Sequence, residues 1–361
     1  MYIDHIHFYV EDARNWSHWF QSNLDFQSLG TETNQHTHTE IVESGMVQFR
    51  LSSPLNNYSP VADFLQAHPP GVVDIALVVD DLEGIMARLA IYGGKIYQDI
   101  QDIQNTQEIR SAKIGSWGTL SHTLLEKPSI YKYTSQNFER SSSLPFSKKS
   151  SPYIRSSPYI RIDHLVLNVP PGELVQAVQW YQQVFQLQPQ QEFSIATPYS
   201  GLYSQVMLDP QTGFQLPINE PTSANSQIQE FLDLNHGAGI QHLALQVHNI
   251  TELVAQLRSS GVEFLPTNPD YYQELQGRGS IALGSQELAA VKSQEILVDW
   301  EAESPESLLL QIFTQPIFSQ PTFFFELIER RSHAQGFGAG NFRALFTAME
   351  QEQRQRHLRA I

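Results

Sequence analysis

Three side chains stand out as capable of chemistry together. His164 lies in Ile162-Asp-His-Leu-Val-Leu-Asn-Val, and His242 lies in Ile240-Gln-His-Leu-Ala-Leu-Gln-Val. Glu326 interrupts the apolar run Phe323-Phe-Phe-Glu-Leu-Ile. A carboxylate in such a strand is costly to bury unless it is paired or binds a metal. The chain has no cysteine, which excludes a disulfide framework, a thiol nucleophile, an iron–sulfur cluster and a zinc-thiolate site. Any metal must be held by His, Asp or Glu. Two His and one carboxylate leave about three positions open on an octahedral ion, the facial triad of non-haem Fe(II) oxygenases.

Each residue has an ordinary alternative. A lone buried His is more often a hydrogen-bonded core residue than a ligand, and Glu326 has Arg330 and Arg331 nearby as ion-pair partners. Thirteen His make chance pairs easy. The argument for a site is positional equivalence. Residues 3–8, Ile-Asp-His-Ile-His-Phe, match 162–167, Ile-Asp-His-Leu-Val-Leu, at an offset of 159. Residues 71–79 match 239–247 at an offset of 168. His164 and His242 therefore sit on corresponding strands of repeated modules, where a pseudo-twofold brings them together.

The repeat also predicts the elements that position them. Leu82, Ile85, Met86 and Leu89 correspond to Ile250, Leu253, Val254 and Leu257, each set spaced as one face of a helix. Gly93 and Gly261 stand at equivalent helix ends. Asp80 with Glu83, and Asn249 with Glu252, have capping-box spacing. Ala13, Trp16, Trp19, Phe20 and Leu24 make another apolar stripe, as do Ala177, Trp180, Tyr181, Val184 and Phe185. Four strand–helix units followed by β-rich stretches predict an α+β fold. It has two similar halves, each of two βαβββ modules forming an open barrel, with a C-terminal helix from Asn341 onward. The expected domains are 1–138, without metal, and 162–361, catalytic and metal-binding. Residues 139–161, rich in Ser and Pro with a tandem Ser-Ser-Pro-Tyr-Ile-Arg, read as a linker. In the first half His5 stands in place of His164, Asp74 in place of His242, and Glu126 as an echo of Glu326. The reading is a duplicated module that has lost its site.

Composition excludes other classes. A length of 361 residues suits about two domains, and 41% hydrophobic residues suffice for their cores. A net charge of −16 argues against nucleic acid and anionic membranes. The N-terminus lacks a basic region followed by a long apolar run, and the Phe323–Phe325 cluster falls far short of the ~20 residues of a span. The expected location is the cytoplasm, and the expected assembly a homo-oligomer.

The second half resembles the 4-hydroxyphenylpyruvate dioxygenase family of the vicinal oxygen chelate superfamily. The matching stretches are Asp163-His-Leu-Val-Leu-Asn-Val, Ser200-Gly-Leu-Tyr-Ser, Leu216-Pro-Ile-Asn-Glu-Pro, Ser226-Gln-Ile-Gln, Gly237-Ala-Gly-Ile-Gln-His-Leu-Ala-Leu, Leu310-Gln-Ile-Phe-Thr, Pro321-Thr-Phe-Phe-Phe-Glu and Gly336-Phe-Gly-Ala-Gly-Asn-Phe. Their number and order make the match specific, whereas the first half matches weakly. The resemblance implies Fe(II) on His164, His242 and Glu326. It implies an α-keto acid substrate, 4-hydroxyphenylpyruvate, converted with O2 to homogentisate and CO2, in tyrosine catabolism or supply of a quinone precursor. Ser204, Asn219 and Gln227 are implied to hold the phenol hydroxyl, with Gln311 at the keto-acid end and Gln241 also in the site. Phe313, Phe324, Phe337, Phe342 and Phe346 are implied to clamp the ring, Phe324 and Phe342 as a sandwich. Strand alternation supports Phe324 with Glu326 and Gln311 with Phe313, but points Gln241 away from His242. Rival readings are a hydroxymandelate synthase, which the aromatic Phe342 disfavours, and a non-catalytic aromatic-ligand binder, which needs no open metal positions. A zinc hydrolase lacks a general base or nucleophile motif.

Overall fold

The computed structural model describes residues 1–103, 109–128, 157–268, 270–277, 281–301 and 304–359. The first half runs β1 (Tyr2–Tyr9), α1 (Ala13–Asn23), β2 (Gln27–Thr33), β3 (Thr37–Ser44), β4 (Val47–Pro54), α2 (Pro60–Ala67), β5 (Gly71–Val79), α3 (Leu82–Tyr92), β6 (Ile96–Asp102), β7 (Arg110–Gly115) and β8 (Ser121–Glu126). The second runs β9 (Tyr159–Asn168), α4 (Leu174–Phe185), β10 (Gln188–Ala196), β11 (Gly201–Leu208), β12 (Gln215–Pro221), α5 (Gln227–Asn235), β13 (Gly239–Val247), α6 (Ile250–Ser259), α7 (Tyr271–Gly277), α8 (Ser285–Ser293), β14 (Leu297–Glu301), β15 (Ser304–Phe313), β16 (Phe324–Arg330) and α9 (Ala339–Arg359).

Each half builds one eight-stranded sheet. The strand orders are β2-β3-β4-β1-β5-β8-β7-β6 and β10-β11-β12-β9-β13-β16-β15-β14, identical in pattern. Two βαβββ modules thus join through the antiparallel pairs β1–β5 and β9–β13. The sequence repeat did not announce α2 and α5, which link the modules, or α7 and α8, which extend the last one. No described helix is long and apolar enough to cross a membrane.

Strand alternation decides what β16 does. Phe323, just before it, and Phe325 face the first half, where Phe323 meets Phe8 at 5.2 Å and Phe325 meets Phe49 at 5.9 Å between ring centroids. Phe324 and Glu326 face the concave side of their own sheet. The four phenylalanine rings bury large apolar areas between the halves, and so anchor the strand that carries the carboxylate.

Four details differ from expectation. β9 begins at Tyr159, so the last three residues of the predicted linker are strand, paired there with β13. Residues 139–156 lie outside the described residues. The cap of α3 is Asp81, whose carboxylate accepts from Gly84 N at 2.8 Å, not Asp80. Asn249 does precede α6, but its side chain bonds Glu252 and caps no backbone amide.

Glu126 is the fourth and most informative case. The register Ala76↔Thr123 in β5–β8 corresponds to Ala244↔Glu326 in β13–β16. Thr123, not Glu126, therefore occupies the place of Glu326. Glu126 corresponds to Glu329, and both do the same work. Glu126 accepts from Leu82 N at 3.2 Å, and Glu329 accepts from Ile250 N at 2.7 Å. These are carboxylates at helix N-termini, where orphan amides and the helix dipole favour negative charge.

Candidate metal centre

His164 on β9, His242 on β13 and Glu326 on β16 come together on the concave face of the second sheet. All three are buried, and their ligating atoms lie within 4.8 Å of one another. Glu326 Oε2 sits 3.2 Å from His164 Nε2 and 3.7 Å from His242 Nε2. Adjacent donors on an ion at about 2.1 Å stand roughly 3 Å apart, so the three atoms need little movement to share one.

The surroundings prepare each donor. Asp163 Oδ1 lies 2.9 Å from His164 Nδ1, which fixes that ring and leaves Nε2 facing the other two residues. Gln311 Nε2 donates to Glu326 Oε1 at 2.7 Å, turning the other carboxylate oxygen toward the imidazoles. Asn341 Nδ2 donates to Gln311 Oε1 at 2.7 Å, and Tyr271 OH donates to Asn341 Oδ1 at 2.8 Å. A chain of hydrogen bonds thus runs from α7 through α9 to the carboxylate. Phe324 lies flat against the His242 ring, 4.6 Å away and tilted by 21°.

Electrostatics agree with a cation site. Burial works against a proton on His164, yet the Glu326 and Asp163 carboxylates outweigh it and push its pKa up to about 9. Burial, with His164 beside it, holds His242 well below its usual range, so it is neutral. The proton on His164 therefore balances Glu326, and a divalent ion takes over that role by displacing it. The donor set of two imidazoles and one oriented carboxylate fits such an ion.

The ligands form one wall of a small, partly open cavity. Ser204, Asn219, Gln311, Phe313, Phe337 and Phe342 also line it. Ser204 and Asn219 are directly opposite each other on β11 and β12. Asn219 Nδ2 donates to Asn168 at 3.3 Å, while its buried Oδ1 has no protein partner, leaving an acceptor for a ligand hydroxyl.

Four expected residues fall elsewhere. Gln241 and Gln227 bond each other at 3.2 Å and line a small neighbouring pocket with Phe324. The register shift between Ile240 and His242 overrides the direction that alternation predicts for Gln241: Ile240 and Leu243 both pack into the main core, so Gln241 stands on the same face as His242 and Phe324. Phe324 stacks on His242 and packs with Phe313 and Leu345 beside the metal cavity, on the side of the neighbouring pocket. Phe346 is fully buried with Ile195, Leu202, Ile228, Phe231 and Leu232, where it braces Phe342 from behind.

Sequence reasoning missed Phe193, Asp163, Arg330 and Asn341. Phe193 lines the cavity and meets Phe342 edge-on at 5.1 Å. Its signal was weak, since it sits among the polar residues of β10. Asp163 was in view as part of the repeated Ile-Asp-His, and Asn341 as part of Gly340-Asn-Phe.

Comparisons with known proteins place the chain by family and by fold. Residues 161–277 match the model of the Glyoxalase/Bleomycin resistance protein/Dioxygenase superfamily. The chain is 35% identical to the uncharacterized protein slr0090 of Synechocystis, covering 98% of this chain and 99% of that one. It is 33% identical to a 4-hydroxyphenylpyruvate dioxygenase of Caenorhabditis briggsae, covering 98% of this chain and 92% of the relative. In fold it is similar to a variant of 4-hydroxymandelate synthase from Streptomyces coelicolor, with a TM-score of 0.82 and 24% identity over 97% of this chain and 98% of that chain.

Proposed function

The chain belongs to the 4-hydroxyphenylpyruvate dioxygenase family, and on that premise we propose that it converts 4-hydroxyphenylpyruvate and O2 to homogentisate and CO2, with Fe(II) held by His164, His242 and Glu326. The observation that carries the reading is the convergence of those three buried side chains on one wall of an aromatic cavity. Bound there, Fe(II) supplies the redox chemistry, activating O2 for loss of CO2 from the keto acid and hydroxylation of the ring. The balance closes: one oxygen atom ends in the new carboxylate and the other in the ring hydroxyl, while the side chain shifts to the neighbouring ring carbon.

The protein's own residues bind, orient and exclude water. Two neutral imidazoles, one carboxylate and a divalent ion sum to one positive charge, which favours an anionic α-keto acid. Gln311 keeps Glu326 turned toward the imidazoles and flanks the keto-acid end. Ser204 and Asn219 offer polar atoms to the phenol hydroxyl. Phe313, Phe337 and Phe342 hold the ring by offset or edge contacts and keep solvent from the reacting carbon. Phe324 and Phe346 act one layer back, on His242 and Phe342. Gln227 and Gln241 act from beside the cavity.

A non-catalytic binder of aromatic ligands needs no three ligands prepared by Asp163, Gln311 and Asn341. Anaerobic loading with Fe(II), followed by O2 and 4-hydroxyphenylpyruvate, tests the proposal by chromatography of the products. Homogentisate with stoichiometric CO2 supports it. Absence of both, with iron bound, overturns it.

A further inference from the structure

Arg330 closes β16 four residues beyond Glu326, and none of the chemistry above uses it. Its guanidinium makes two contacts of different kinds. Nε and Nη2 donate to the two oxygens of Asp163, each at 2.8 Å, a bidentate ion pair. Nη1 donates to the carbonyls of Ala334 at 3.2 Å and Gly336 at 2.9 Å. Asp163 is the residue that fixes His164 Nδ1. The loop holding Ala334 and Gly336 leads directly to Phe337. The Phe337 ring meets the His164 ring edge-on at 4.7 Å and lines both the metal cavity and the groove outside it.

The loop needs holding. Ser332, His333, Gly336 and Gly338 all have φ between 46° and 74°, a left-handed conformation that Ser and His disfavour. A side chain at Gly338 would also press on Leu309 and Asp299 at 3.0–3.1 Å. Backbone of this kind persists where its surroundings over-determine it.

We propose that Arg330 is a positioning residue that ties the orientation of the metal ligand His164 to the placement of the cavity wall at Phe337. One arm of its fork sets His164 through Asp163, and the other pins the loop that lays Phe337 against the same imidazole. The inference rests on the metal site proposed above. The first half supplies a natural contrast. Asp4 bonds His5 Nδ1 at 2.9 Å, and Lys127, at the position of Arg330, pairs with Asp4. The half without the triad thus keeps the Asp–His pair and a cation, but the cation is a point charge. Lysine cannot grip a carboxylate bidentately and reach two carbonyls at once.

The test uses the full-length chain with Arg330→Gln and Arg330→Lys. Anaerobic equilibrium dialysis against Fe(II) gives the metal dissociation constant. Hydrogen exchange resolved over residues 331–338 reports the loop, and thermal unfolding controls for folding. Arg330→Gln should weaken Fe(II) about 10–100-fold, the usual effect of losing a residue that orients a ligand. Arg330→Lys should restore most of that affinity, because it still pairs with Asp163. The loop should exchange faster in both variants, since neither supplies the fork. Unchanged loop exchange in both, or unchanged affinity in a folded Arg330→Gln, overturns the proposal. If Arg330→Gln fails to fold, Arg330→Lys decides: affinity kept with a loosened loop supports the clamp, and affinity and loop both unchanged refute it. A wild-type chain that takes up no Fe(II) refutes the proposed function instead, and the loop exchange then tests the clamp by itself.

Discussion

The two halves share one topology but spend the same positions differently. Across the second sheet, one register row reads His164, Ala244, Glu326, Phe313. The corresponding row of the first sheet reads His5, Ala76, Thr123, Lys113. Asp74 stands where His242 does, with His7 opposite it in place of Val166. In the first half Lys113 Nζ lies 3.4 Å from Asp74 Oδ1, and Ser121 donates to the same carboxylate at 2.5 Å. The interior negative charge is satisfied by the protein's own cation. In the second half a phenylalanine replaces that lysine, and among the described residues the Glu326 carboxylate has two imidazoles and an amide as its direct partners. A buried carboxylate with a lysine partner is complete, whereas one facing two imidazole nitrogens is arranged for an ion from outside.

The largest test of this contrast exchanges a ligand for its counterpart. His242→Asp makes the second row resemble the first, and metal content should fall to background with loss of turnover of at least ~10³-fold. Asp74→Asn should leave metal content at the wild-type value. Elemental analysis of the purified proteins settles it, and loss of metal from the Asp74 variant would mean the first half contributes to the site.

A smaller effect concerns the internal ion pair. Lys113→Met removes the cation from Asp74 and should lower stability by about 1–3 kcal/mol, less than for a fully buried pair because Lys113 is a third exposed. Metal content should not change. The pH dependence has a definite sign. Burial opposes ionisation of Asp74, but Lys113 and the Ser121 and Thr123 hydroxyls together hold its carboxyl below the usual range. Its contribution is therefore full above the unfolded pKa near ~4 and is lost as pH falls through the folded value. Urea midpoints between pH 7 and pH 3 should drop less steeply in Asp74→Asn than in wild type. Parallel slopes would show that folding does not shift the Asp74 pKa, and a steeper drop in Asp74→Asn would show that the carboxyl is neutral in the folded protein.

Much of this contrast is legible in the sequence, for physical reasons. His164, His242, His5 and Asp74 lie in the central strands, where the repeat is strong because both faces are buried and register is tightly specified. Glu326 is legible as a charge in an apolar strand. Its counterpart was not, because the offset between halves grows from 159 at β9 to 203 at β16 as α7 and α8 intervene, and only strand pairing reveals Thr123. Polar groups that act through others were harder still. Arg330 looked like a partner for Glu326, but its fork reaches Asp163 from a distant strand. Phe324 shares the face of Glu326, yet alternation cannot say that its ring will stack on His242.

The last difference between the halves is aromatic, and its expected effect is the smallest. Phe342 comes from α9, and the described residues of the first half hold no helix after β8. Phe342 lines the metal cavity, held by Phe193 on one side and Phe346 behind. A flat ring there limits how far a bound substrate ring can tilt, and so which carbon, ring or benzylic, is nearer the metal ligands. Phe342→Ile removes the flat wall but keeps an apolar contact with its cluster, so the fold and the triad should be intact. O2 uptake and CO2 release should continue, because the keto acid end is untouched. The product should shift partly from homogentisate to hydroxymandelate. A change of ~1.4 kcal/mol in the relative barriers moves the ratio tenfold, and loss of one stacking contact is of that order. Chromatography against both standards measures the ratio. Homogentisate alone, at the wild-type ratio to O2 consumed, would show that Phe342 only packs, and that the cavity's selectivity resides in Phe313 and Phe337 instead.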